Sequence, residues 1–140
     1  MVPRQLSGGF GPGFQQVGSR IYRVEYAAAS VAILSYMVWR TFYGGGLEWL
    51  QVIFWAAFPD LAAFIPIAAS SERRRWPSWG ANLYNVFHTL LVWGAVFAGI
   101  WLAAGVVYLP LLGWLLHITT DRSAGYYLRA KESSPSVERG

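Results

Sequence analysis

WLQVIFWAAFPDLAAFIPIAA, from Trp49 to Ala69, runs for twenty-one residues with a single ionisable side chain, Asp60. A helix needs about 20 mainly apolar residues to cross the ~30 Å hydrocarbon core of a bilayer. Three further apolar segments flank this one. The first runs from about Tyr26 to Tyr43 and stops at Gly44-Gly45-Gly46. Two follow, from about Leu83 to Ala104 and from about Val107 to Tyr127, joined by a tight hairpin around Gly105 to Pro110. A polar loop holding Glu72 and Arg73-Arg74-Arg75 separates the second segment from the third. The pattern predicts an all-α fold, a four-transmembrane-helix bundle over residues 21–130. Residues 1–20 read as a flexible cytoplasmic tail and 131–140 as a disordered one.

Composition agrees. The chain is 55% hydrophobic and 17% aromatic, with 13% charged residues, against about 25% charged in soluble domains. Of its eight Trp, Trp39, Trp49, Trp76, Trp79 and Trp114 fall near segment ends, where an amphipathic ring suits the membrane–water interface. The absence of Cys excludes disulfides, thiolate metal sites and Cys nucleophiles. The net charge of +4 does not indicate nucleic acid, because the basic residues flank apolar segments instead of covering one face. The first twenty residues are Gly-rich and polar and lack the apolar core of a signal peptide.

The basic residues also set the orientation. Arg4, Arg20 and Arg23 precede the first segment, Arg73 to Arg75 lie between the second and third, and Arg122, Arg129, Lys131 and Arg139 close the chain. Four crossings put all of these on one side and leave Arg40 toward the other. Positive residues stay in the cytoplasm, so both termini are expected there, in a multi-pass protein of the inner membrane.

Ionisable groups inside a membrane are costly and by default mark function. Here they are Asp60 on the second segment, His88 on the third, and His117 with Asp121 on the fourth. Glu25 stands shallower, at the start of the first. At a rise of about 1.5 Å per residue, Asp60, His88, His117 and Asp121 lie roughly 8–15 Å from the cytoplasmic ends of their helices, in one layer. His117 and Asp121 are four apart and share a helix face, as do Asn85 and His88, three apart. Two imidazoles and two carboxylates on facing helices form an N/O donor set suited to divalent zinc, manganese or iron. The plainer alternative is that these groups hydrogen-bond across helices and hold the bundle together, with Asp60 toward Arg40 and Asp121 toward Arg122 or Arg129. Pro59 is expected to kink the second helix and Pro66 to end it early.

Four stretches of the chain resemble a bacterial family of small four-helix integral membrane proteins known as a domain of unknown function. They are Tyr22-Arg23-Val24-Glu25, Phe58-Pro59-Asp60-Leu61, Tyr84-Asn85-Val86-Phe87-His88-Thr89, and His117-Ile118-Thr119-Thr120-Asp121-Arg122-Ser123-Ala124-Gly125-Tyr126. The resemblance covers about residues 20 to 130, and the closing His-x-x-x-Asp-Arg-x-x-Gly-Tyr is its most specific part. Tyr127 stands where a Gly is common. A looser resemblance runs to membrane-bound metal-dependent hydrolases, and it implies Asp60, His88, His117 and Asp121 as metal ligands. The Arg-Gly that often precedes the third-helix His in those enzymes is missing here.

Two functions are therefore expected. One is a metal-dependent hydrolase of a lipid-like substrate, with Glu25 as general base or substrate gate. The other is a non-catalytic accessory subunit of a larger membrane complex, packing against other subunits and contacting a pigment or haem through its histidines.

Overall fold

The computed structural model describes residues 4–5, 14–16, 19–70 and 77–129. Helix α1 (Arg20–Tyr43) starts at Ser19, whose hydroxyl accepts from the Tyr22 N–H as an N-cap. Helix α2 (Trp49–Ser70) continues through both Pro59 and Pro66, so Pro66 does not end it. The third segment is broken. Helix α3 (Gly80–Phe87) stops at His88, and helix α4 (Leu90–Ala104) restarts at Thr89, whose hydroxyl caps the Val92 N–H. The two halves are bent by 54°.

The fourth segment also differs from expectation. A 3₁₀ turn at Leu109–Leu111 leads into helix α5 (Leu112–Ala124), which ends at Gly125 with φ 100°. That is the left-handed stop that glycine adopts without a Cβ clash. Beyond it the chain is extended, not helical: strand β3 (Tyr126–Arg129) pairs with β2 (Phe14–Gln16), which pairs with β1 (Arg4–Gln5), all antiparallel. Parts of the expected N-terminal tail are thus strands, and the expected C-terminal tail lies outside the described residues. The small sheet joins the N-terminal and C-terminal strands, so both lie at one end of the helical body. Arg23 Nε donates to the Ser123 carbonyl at 3.0 Å at that same end. At the opposite end, Tyr108 before α5 donates to Gln51 near the start of α2 at 2.7 Å.

Helix α5 is the centre, packed against α1 on one side and α2 on the other. The approach to α2 depends on Gly113, where an added Cβ would run into the Val52 carbonyl. Leu111 of the 3₁₀ turn and Trp114 and Ile118 of α5 are fully buried, with Trp55, Phe58, Phe87 and Trp93 packed around them. Trp114 stacks on Trp55 with ring planes 4° apart and donates Nε1 to the Phe87 carbonyl. It is a core residue and not part of an interfacial belt.

The fold is all-α in its main body, with the small sheet added at one end. Among the described residues, α2 alone is long and apolar enough to cross a membrane unaided; α3 and α4 reach the length as one bent pair. Thirteen-residue α5 is about 20 Å long, short of a hydrocarbon core. Much of the apolar surface points outward: Leu50, Leu91, Leu102 and Phe42 are each more than 70% exposed, and α4 has no buried residue.

Candidate metal centre

Asp60, His88 and His117 come together from three elements. α2 carries Asp60 one residue beyond Pro59, the α3–α4 break carries His88, and α5 carries His117. One ligand atom from each lies within 4.8 Å of both others. His88 Nε2 is 3.2 Å from Asp60 Oδ1 and 3.3 Å from His117 Nε2, and His117 Nε2 is 3.6 Å from Asp60 Oδ1. Asp121, one turn after His117, reaches the same Nε2 at 3.4 Å from the outer side. Among the described residues Asp60 pairs with His88 and His117 and not with Arg40, and Asp121 pairs with His117 and not with Arg122.

The hydrogen bonds determine which nitrogen of His88 is free. Its Nδ1 lies 2.8 Å from the Tyr84 carbonyl, and a carbonyl only accepts, so Nδ1 carries the proton. In this tautomer the lone pair is at Nε2. A backbone carbonyl behind a ligating histidine fixes tautomer and orientation in this way at metal sites. Tyr84 also stacks on the His88 ring, with centroids 3.7 Å apart. The lone pair faces a carboxylate oxygen and a second imidazole nitrogen. Such a concentration of acceptors is repulsive unless protons or a cation lie between them.

The spacing fits a cation. Ligands about 2.0–2.1 Å from a tetrahedral ion are separated by about 3.3–3.4 Å, and the three separations here are 3.2, 3.3 and 3.6 Å. A point equidistant from the three atoms, in or just above their plane, lies about 2 Å from each, the bond length of N and O ligands. The group could therefore hold a metal ion. The same proximity leaves no space for a macrocycle between the two imidazole nitrogens.

The pieces around the group differ in exposure. His88 is 5% and His117 16% exposed in their side chains, while Asp60 is 46% exposed, so one side of the group is open. Glu25 is exposed on α1 and stands outside the three-residue group. Asn85 is engaged elsewhere: its amide donates to the Arg129 carbonyl at 2.8 Å and accepts from the Arg129 N–H at 2.7 Å, clamping β3. Sequence reasoning missed Tyr84 and Arg122. Tyr84 sits four residues before His88, the spacing at which its carbonyl meets the ring. In sequence Arg122 is one more basic flank, yet it is buried and donates to the Tyr26 hydroxyl at 2.7 Å and to the His88 carbonyl at 3.4 Å.

A family model described as a domain of unknown function (DUF4260) matches residues 19–136, and the chain belongs to that family. No curated protein and no solved structure matches the chain.

Proposed function

We propose that the chain is a multi-pass inner-membrane protein that binds one divalent metal ion through Asp60, His88 and His117 and hydrolyses a lipid-like amphiphile. The observation that carries this reading is the set of 3.2, 3.3 and 3.6 Å separations among three ligand atoms from three elements. Three protein ligands leave the fourth position of a tetrahedral ion open, as hydrolytic metal sites do. A metal bound there would lower the pKa of a water and polarise the substrate. The chain's own residues do the rest. Asp121, in contact with His117 but outside the three-residue group, takes the proton from the attacking water. The proton then passes to the leaving oxygen as the substrate bond breaks. Tyr84 fixes the His88 ring. Glu25, exposed on α1, keeps a gating role.

The membrane assignment rests on α2, on the exposed apolar surface and on the one-sided basic residues. In this reading α1, α2, the bent α3–α4 pair and α5 make four passes, with the sheet end in the cytoplasm. Helix α5 is held inside by α1 and α2, so it need not match the bilayer thickness. Asp60 is half exposed, which leaves the group open to an amphiphilic substrate in a membrane that supplies the lipid.

An accessory role in a larger membrane complex is the second reading. It is favoured by α4, none of whose residues is buried within the chain, leaving its surface to lipid or to another subunit. Elemental analysis of purified wild type and His117→Ala separates the two. A bound divalent metal that disappears in the variant supports the hydrolase; equal, substoichiometric metal in both refutes it.

A further inference from the structure

Arg122 is 8% exposed, and its surroundings are unusual for a buried cation. Among the described residues no carboxylate forms an ion pair with it. Its guanidinium donates to two neutral oxygens, the Tyr26 hydroxyl and the His88 carbonyl, out of five N–H donors. The rings of Tyr26 and Tyr127 lie 5.1 and 5.2 Å from its carbon. Neutral oxygens and ring faces stabilise a buried guanidinium, but they do not neutralise it, and an unneutralised buried charge is costly.

The charge count points the same way. Were one divalent ion bound, the formal charges of Asp60 and of Asp121 beside it would balance that ion, and two neutral imidazoles would add nothing. Arg122 then remains as one positive charge without a counter-ion, one hydrogen bond from the backbone of a proposed ligand. A narrow cleft connects them, lined by Tyr84, His88, Asp121, Arg122, Tyr126 and Tyr127. It has a volume of about 10 Å³, the room of a single oxygen-sized atom. An anion would therefore reach in with one oxygen and keep the rest of its bulk outside.

We propose that Arg122 forms an anion subsite beside the metal centre and binds the phosphoryl group of a phosphomonoester carried by the amphiphilic substrate. This rests on the hydrolase reading and names its substrate class. A guanidinium holds a phosphate oxygen by charge-assisted hydrogen bonds, and the cleft admits one such oxygen to Arg122 while the others stay outside. In turnover, water adds to phosphorus, the bond from phosphorus to the amphiphile's oxygen breaks, and that oxygen takes up the proton released by the water. Inorganic phosphate is left on Arg122.

The test uses the full chain in detergent micelles, loaded with Zn²⁺ or Co²⁺, with inorganic phosphate as probe and metal content measured in every sample. Calorimetry should show saturable phosphate binding to wild type. Arg122→Gln should weaken it about tenfold or more, the loss of one or two charge-assisted hydrogen bonds, and Arg122→Lys should recover only part. Metal-loaded wild type that ignores phosphate overturns the subsite and leaves the metal reading standing. Arg122-dependent phosphate binding without stoichiometric metal supports the subsite and overturns the metal reading. Arg122 also ties α1 to α5, so the glutamine variant can fail to fold. The decision then passes to wild type alone: ³¹P relaxation of bound phosphate should be enhanced in the Co²⁺ sample over the Zn²⁺ sample, and equal relaxation overturns the proposal. Phosphatidic acid in mixed micelles should displace the phosphate and phosphatidylcholine should not; failure of phosphatidic acid to compete overturns the lipid source.

Discussion

His117→Ala removes the one atom that touches every other member of the centre. His117 Nε2 lies 3.3 Å from His88 Nε2, 3.6 Å from Asp60 and 3.4 Å from Asp121. Zinc bound by four ligands is held by about 10–16 kcal/mol, so an even share per ligand is about 2.5–4 kcal/mol. At about 1.4 kcal/mol per tenfold, its loss weakens affinity by two to three orders of magnitude. With no Cys and no third His in the chain, nothing of that kind can replace it. Metal present at a hundred times its Kd stabilises the folded state by about 2.7 kcal/mol, roughly 8–13 °C in Tm for a domain of this size. Thermal melts of detergent-solubilised protein should therefore show wild type falling by about that much on chelation. His117→Ala should melt at one temperature with and without chelator, near that of stripped wild type. A variant that still responds to chelator would refute the assignment of His117. A variant far below stripped wild type would show that His117 acts through buried hydrogen bonds.

Other outcomes follow from the packing. Gly113→Ala drives a methyl into the Val52 carbonyl, and such overpacking costs about 1–3 kcal/mol. It should lower the melting temperature and, by separating α2 from α5, metal affinity as well; an unchanged melt would show that the helices give way freely. Asn85→Ala deletes two hydrogen bonds to the Arg129 backbone, about 1–3 kcal/mol together. Limited proteolysis should cut after Gly125 faster in this variant than in wild type, and equal rates would remove the clamp. Reporter fusions at Gly45 and Gly105 should read as external and at Ser134 as cytoplasmic; a cytoplasmic signal at Gly105 would end the four-pass topology. Protons compete with metal for imidazole and carboxylate ligands, so measured metal affinity should fall as pH is lowered, and a flat profile would argue against histidine ligation.

The sequence made α2 legible almost to its ends, because twenty-one residues with one ionisable side chain leave little choice of environment. Asp60, His88 and His117 were legible for the same reason, since ionisable groups in apolar segments are few and the i, i+4 step places His117 and Asp121 on one face. Their convergence followed once the helices ran in alternating directions. The break at His88–Thr89 was not legible. Hydropathy is continuous across it, and a threonine inside an apolar run does not announce that its hydroxyl caps a new helix. The end of α5 was marked by Gly125, a helix-stop signal that the apolar Tyr126-Tyr127-Leu128 overran in a reading by hydropathy. The strands are two to four residues long, too short to establish a period. Trp114 passed for an interfacial residue because nothing in its neighbours reveals the stacked Trp55, and Arg122 passed for a topology signal because burial cannot be read from one basic residue near a segment end.

Whether Asp60, His88 and His117 hold a metal ion can be measured directly. Wild-type protein purified without chelator should carry one zinc, manganese or iron ion per chain by elemental analysis, with X-ray absorption placing N and O ligands at about 2.0–2.2 Å from it. Protein without stoichiometric metal, unable to take it up when divalent ions are supplied, would contradict the account.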